Sequence, residues 1–217
     1  MNNDSFIINQ VDNTALNRFF GKIYGVVAMG IGLSAFVSFL AVTVLLIMLG
    51  QLALVVSAST MAAKNSPMAL PMFLAYSVTN GITISMILMF YTSETVVLAF
   101  VSAALMFAIM AVIGMTTKKN LSGMAQALRA ALWGIIIASF INIFLRSSGL
   151  SFMMSIISVL VFSGLIAYDN QRIRNVFEQT GGNVGQGWVV SMALQLYLDF
   201  INLFLNLLRI FGGLNRD

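Results

Sequence analysis

Between Lys22 and Lys64 the chain reads IYGVVAMGIGLSAFVSFLAVTVLLIMLGQLALVVSASTMAA, residues 23–63, without one charged side chain. A membrane-crossing helix needs ~20 mostly apolar residues. Run as a single helix, this stretch would be ~60 Å long, about twice the thickness of a hydrocarbon core. It is therefore two helices folded back on each other, with a turn near Ala41 to Leu45. The whole 217-residue chain agrees, with 59% hydrophobic residues and only 8% charged, where a soluble domain has ~25%. Mean hydropathy is +0.96. A soluble fold of this size cannot hide so much apolar surface, which excludes a soluble enzyme, a disordered protein and a secreted disulfide scaffold. There is no cysteine, hence no disulfide, thiol nucleophile or Cys-ligated metal. There is no histidine, which removes the commonest general base, transition-metal ligand and near-neutral pH switch.

The rest of the chain divides into further spans: 67–91, 95–115, 127–145 with Arg129 at its start and Arg146 at its end, 150–168 with Asp169 at its last turn, and 188–211. The expected fold is all-α and polytopic, with seven transmembrane helices. Residues 1–17 are polar and lack the basic and apolar pattern of a signal peptide. They read as a soluble tail, followed by one transmembrane domain over 18–212 and a short C-terminal tail over 213–217. The longest polar loop is 170–187, with Gly181-Gly182 marking a turn. No internal repeat is visible, so an inverted-repeat transporter is not supported.

Seven spans put the termini on opposite sides. With the N-terminus cytoplasmic, that side holds Arg18, Lys22, Lys64, Lys118, Lys119, Arg129, Arg172 and Arg174, against Arg146, Arg209 and Arg216 outside. This fits the positive-inside rule and accounts for the net charge of +4. The basic residues form no single face, so no nucleic-acid partner is expected. Gly25, Ala28, Gly32 and Ala35 share a face of the first span and suit close helix packing. The fifteen methionines read as adaptable core filler.

Of seven acidic residues, Asp4, Asp12, Glu94, Glu178 and Asp217 fall in tails or loops. Asp199 sits near the middle of the seventh span, where a carboxylate costs at least ~2.5–3.5 kcal/mol and usually faces a bundle interior or wet cavity. Ser191, Gln195, Asp199, Asn202, Asn206 and Arg209 project within an arc of ~80° at 100° per residue. Such a stripe lines a pathway, or else its amides serve as interhelical glue. Asp169 shares its face with Leu165, Phe162, Ser158 and Ser155, an apolar collar followed by hydroxyls. Alone it would be an interfacial carboxylate paired with Arg172 or Arg174. It meets Asp199 only if it lies deeper than the simple span suggests, or if the seventh helix begins beyond the membrane. Two carboxylates brought together in a poorly hydrated site cannot both ionise cheaply, and they titrate in two coupled steps. With no histidine in the chain, that is the route open to a near-neutral pH response. The ionised pair offers hard oxygen ligands suited to Ca²⁺, with backbone carbonyls or water completing the shell.

The run from Ala193 to Arg209, ALQLYLDFINLFLNLLR, resembles the signature of the Bax inhibitor family of membrane proteins in its short prokaryotic, YetJ-like form. Tyr168-Asp169-Asn170-Gln171 is similar to the motif ending that family's sixth helix, and Gly81-Ile82-Thr83 and Asn142-Ile143-Phe144 are weaker matches. The resemblance covers about residues 20–212. It implies a seventh helix surrounded by the other six and a Ca²⁺ leak controlled by an aspartate pair, here Asp169 and Asp199. It implies no tightly bound cofactor, with Ca²⁺ as permeant or bound ion. Bacterial members also carry an arginine ending the second helix that latches the closed form. The matching stretch here is Met61-Ala62-Ala63-Lys64, with Ala63 at the arginine's position. Lys64 is one residue on and cannot reproduce a bidentate guanidinium contact.

Three functions follow as expectations. The first is a pH-sensitive Ca²⁺-permeable leak in a prokaryotic plasma membrane, gated at Asp169, Asp199 and Lys64 and lined by Ser191, Gln195, Asn202, Asn206 and Arg209. The second is a membrane regulator that binds other membrane proteins, such as a quality-control protease or a cell-death factor. The third, an intramembrane aspartyl protease, has a Tyr-Asp and a second aspartate in its favour. It lacks the Gly-x-Gly-Asp and Pro-Ala-Leu motifs of that class, so no enzymatic activity is expected.

Overall fold

The computed structural model describes residues 28–31 and 46–214. The N-terminal tail, the turn near residues 41–45, the last three residues, and Arg18, Lys22 and Arg216 lie outside the described residues. So does the small-residue face of the first span except Ala28, which is helical within 28–31. The residues from Gln51 onward pack as one compact unit.

Six described helices are long and apolar enough to cross a membrane: α1 Leu46–Ala63, α2 Ala69–Leu88, α3 Ser93–Thr116, α4 Ser122–Leu145, α5 Ser148–Gln179 and α6 Gln186–Leu214. The all-helical, polytopic fold expected from hydropathy is the one observed, and no described residue is in a strand. Helix ends follow local chemistry. Thr92 caps α3, its Oγ1 accepting from Thr95 N at 3.3 Å, with Glu94 against the helix dipole in the first turn. Ser147 caps α5 by accepting from Leu150 N at 3.2 Å. Gly181 and Gly182 both have positive φ, and Gly182 N donates to Phe177 O at 2.9 Å, which closes α5.

The surface is apolar where a soluble protein's is polar. Val97, Leu98, Val101, Leu105 and Ile109 on α3, and Trp133, Ile137, Phe140 and Phe144 on α4, are exposed as lipid-facing side chains. Inside, small residues set the packing. Thr95, Ala99, Ala103, Ala111 and Gly114 are the buried positions of α3 and lie on one face. A β-carbon on Gly114 would collide with the carbonyl oxygen of Ala167, so α3 and α5 touch backbone to backbone there. The last helix packs on α2, α3 and α5, and α5 packs on α3, α4 and α6. The centre is thus shared: 14 of the 32 residues of α5 are buried, against 9 of the 29 of α6.

Most boundaries move by one to three residues, α2 being shorter than its expected span, and two move further, both towards longer helices. α4 begins at Ser122, five residues before the expected span, and α5 runs on to Gln179 in place of a polar loop from residue 170. The polar residues after Asp169 are helical because they are satisfied there. Gln171 accepts from Leu121 N at 2.9 Å and donates to Lys119 O at 2.7 Å. Arg174 donates to Met115 O and Thr117 O, neutralising carbonyls at the end of α3. The polarity marks a helix end braced on the α3–α4 connection, and the loop shrinks to residues 180–185.

Candidate functional site: a carboxylate pair between α5 and α6

The longer α5 brings the two aspartates level. Asp169 lies ten residues before Gln179, or ~15 Å along the helix. Asp199 lies thirteen residues after Gln186 on the antiparallel α6, or ~20 Å. The helix ends allow the meeting: α5 continues ten residues past Asp169, and α6 starts at Gln186, before the expected span. The two side chains lie within hydrogen-bonding reach of each other, with residue exposures of 6% for Asp169 and 8% for Asp199. Asp199 Oδ2 is buried without a hydrogen-bond partner. Such an atom is costly unless a proton, water or ion reaches it.

The pair opens on a cavity of ≈ 430 Å³. Its floor is α5, through Phe162, Leu165 and Asp169. One wall is α6, through Gln195, Leu198, Asp199 and Asn202, and the other is α4, through Arg129, Leu132 and Ile136. The collar expected beside Asp169 is present, because Phe162 and Leu165 are both 7% exposed. Ser158 and Ser155 follow it, fully enclosed, and Arg209 Nη1 donates to Ser155 Oγ at 3.4 Å.

Five of the six stripe residues, all but Asn206, are distributed over three cavities. Ser191 faces one of ≈ 280 Å³ with Ala62, Ala63 and Asn65 at the α1–α2 turn. Gln195, Asp199 and Asn202 line the central one. Arg209 lines one of ≈ 320 Å³ at the opposite end, with Tyr91, Ser148 and Ser151. Asn202 Nδ2 donates to Leu198 O and Asn206 Nδ2 to Asn202 O, each at 2.8 Å. Each thereby spends one of its two amide N–H donors within α6, and the oxygens are left as acceptors.

Lys64 lies exposed in the turn after α1 and makes no ion pair with Asp169. The ion pair observed among the described residues joins Arg174 and Glu178 at 3.7 Å. The same turn instead docks on α6 through Asn65, whose φ is 51° and whose Oδ1 accepts from Gly187 N at 2.7 Å. The cations acting on Asp169 are Arg172 and Arg129. Arg129 stacks over the Tyr168 ring, with Cζ 5.3 Å from its centroid. The sequence reading set Arg129 at a span boundary because it started that span too late. With α4 beginning at Ser122, Arg129 shares the face of Leu132 and Ile136, three and seven residues on, and reaches the cavity with them. No group of three or more His, Cys, Asp or Glu suited to a resident metal occurs among the described residues.

A family model described as "Inhibitor of apoptosis-promoting Bax1" matches residues 16–216. The chain belongs to the Bax inhibitor family. Among relatives, it is 50% identical to an uncharacterized membrane protein of Streptococcus pyogenes serotype M1, over 97% of this chain and 98% of that one. It is 45% identical to the YrjE protein of Lactococcus lactis, over 99% and 100%. It is 39% identical to the inner membrane protein YbhL of Escherichia coli K12, over 91% and 92%. This Bax inhibitor family member is accordingly an integral, multi-pass membrane protein, and its helices face a lipid bilayer.

Proposed function

We propose that this family member is a pH-sensitive, Ca²⁺-permeable leak controlled by Asp169 and Asp199. The observation that carries the reading is their juxtaposition: two carboxylates on separate helices, beside a cavity, with one buried oxygen unpartnered. Insertion of a carboxylate at mid-helix is costly, and a structural role would be met by an amide. Ionised, the pair supplies hard oxygen ligands, with the Asn202 amide oxygen in the same cavity and water completing a Ca²⁺ shell. The ion is cargo, passing along Ser191, Gln195, Asn202, Asn206 and Arg209, and no cofactor is held tightly. Protonation removes the ligand charge and also loosens the hold of Arg172 and Arg129 on the pair, so acid acts on both ion affinity and closure. The basic end of the bundle, with Lys64, Lys118, Lys119, Arg172 and Arg174, is assigned to the cytoplasm of a prokaryotic plasma membrane, which puts the C-terminus outside.

The test is Ca²⁺ flux into liposomes holding the purified protein, from pH 5 to 8. Asp169→Asn and Asp199→Asn should each change the flux, and together they should flatten its pH dependence. Flux and pH profile equal to wild type in both variants would end the leak reading. The family description favours a second reading, a regulator that binds membrane-protein partners such as a quality-control protease or a cell-death factor. It requires partner capture that survives both Asn substitutions while liposome flux is absent.

A further inference from the structure

Arg129 is an exposed cation, and the leak reading gives it a hold on the carboxylate pair but no effect on the ion. It lines the same cavity as Asp169 and Asp199, from α4. An arginine among apolar wall residues is expensive and is kept in a span when it serves a partner or a path. Its guanidinium rests on Tyr168, the residue before Asp169, and forms no ion pair within 4.0 Å among the described residues. It is held near the carboxylates without being bonded to them.

The charged groups facing Asp169 can be counted by element. They are Arg172 from α5 itself, Asp199 from α6 and Arg129 from α4. α3, the remaining helix packed on α5, carries only Glu94, in its first turn at the other end of the bundle. Among the described residues, two guanidinium groups thus act on Asp169 of the pair, and the fully ionised cluster of four sums to zero. Without Arg129 it holds one net negative charge.

We propose that Arg129 is a tethered counter-cation of the carboxylate pair, supplying from the α4 wall part of the positive charge a divalent ion would bring. A permeant cation therefore enters the cavity against Arg129, and the residue sets the leak's affinity and basal rate. The consequence for permeation rests on the leak reading; the electrostatic role does not. A guanidinium about 10 Å from a bound divalent ion weakens its binding about fourfold in water-like surroundings and more than a hundredfold at an effective dielectric of 20.

Two measurements test it. The first is equilibrium Ca²⁺ binding and liposome flux for wild type, Arg129→Gln and Arg129→Lys. Arg129→Gln should bind Ca²⁺ at least about fourfold more tightly and leak faster. Arg129→Lys, which keeps the charge, should stay near wild type. Unchanged or weaker binding in Arg129→Gln, where the aspartate variants do alter flux, overturns the inference and leaves the leak reading standing. The second needs no Ca²⁺. The chain has no cysteine, so Arg129→Cys offers a single thiol to a cationic and an anionic methanethiosulfonate. The cationic reagent should react faster, and adding Asp169→Asn and Asp199→Asn should cut the ratio by about tenfold. A ratio that does not move overturns the counter-cation role. If no form binds or passes Ca²⁺, the leak reading and its Arg129 gate fall together, and a falling ratio upholds the electrostatic role alone.

Discussion

Asp199→Asn should make this protein more stable at pH 8 while impairing it. The carboxylate sits mid-helix, 8% exposed, facing Asp169 and with Oδ2 unpartnered. Holding a carboxylate at the centre of a span costs ~2.5–3.5 kcal/mol on insertion scales, and an unsatisfied buried polar atom costs ~1–3 kcal/mol. These overlap, since both count lost hydration. The amide carries no charge, brings its own donor to Asp169 and removes the repulsion between two carboxylates. Set against the ~1–2 kcal/mol that burying the amide itself costs, the net gain is about 1–2 kcal/mol. At ~2–4 °C per kcal/mol for a chain of this size, Tm rises by about 2–8 °C. Lowering the pH should shrink the gain, because a protonated carboxyl and an amide cost nearly the same to bury. Thermal unfolding in detergent, followed by the fluorescence of Trp133 and Trp188, reads the shift at pH 8 and pH 5. A fall of more than about 2 °C at pH 8 would refute the reasoning, since Asp199 would then be a structural clamp whose charge the fold requires.

The remaining predictions concern the frame around the pair. Gly114→Ala puts a methyl into the Ala167 carbonyl, and overpacking of this kind costs ~1–3 kcal/mol; a Tm equal to wild type would mean that the α3–α5 contact yields freely. Tyr197→Phe removes the 2.9 Å bond from Asn80 Nδ2. It should cost about 1 kcal/mol and leave Ca²⁺ flux unaltered, so a large flux change would place Tyr197 in the path.

The six helices were legible because hydropathy depends on composition over ~20 residues and needs no partner. The α6 stripe was visible as a periodic pattern, yet periodicity does not fix burial: of its six polar side chains Asp199 is buried, four are half-buried and Arg209 is exposed. Depth was harder to read. Hydropathy ended the sixth span at Tyr168, because Asp169-Asn170-Gln171 looks like a membrane exit. In the fold Gln171 and Arg174 hold backbone groups of the α3–α4 connection, and that contact keeps the polar residues in a helix. A pairing across 50 residues leaves no mark in a local window. Arg129 escaped for the same reason: its role depends on where α4 starts and on Tyr168, 39 positions away.

One ambiguity in the stripe turned on whether its amides are glue between helices, and the hydrogen bonds separate the two uses of polar side chains. Glue is present, mostly away from the stripe. Gln51 Nε2 donates to Thr83 Oγ1 at 2.6 Å and ties α1 to α2. Asn80 donates to Tyr197 and ties α2 to α6, and Asn142 Nδ2 donates to Ser151 Oγ at 2.6 Å and ties α4 to α5. Tyr197, the polar outlier on the apolar side of α6, belongs to this set, wedged edge-on against Phe73 and Tyr76. Asn202 and Asn206 behave differently. Each returns its amide nitrogen to its own helix four residues back, an arrangement that joins no neighbour. A residue kept for glue would spend its donor across the interface, where it strengthens packing. Asn202 and Asn206 spend a donor at home instead, which leaves each amide oxygen free to accept on the face where Asp199 lies.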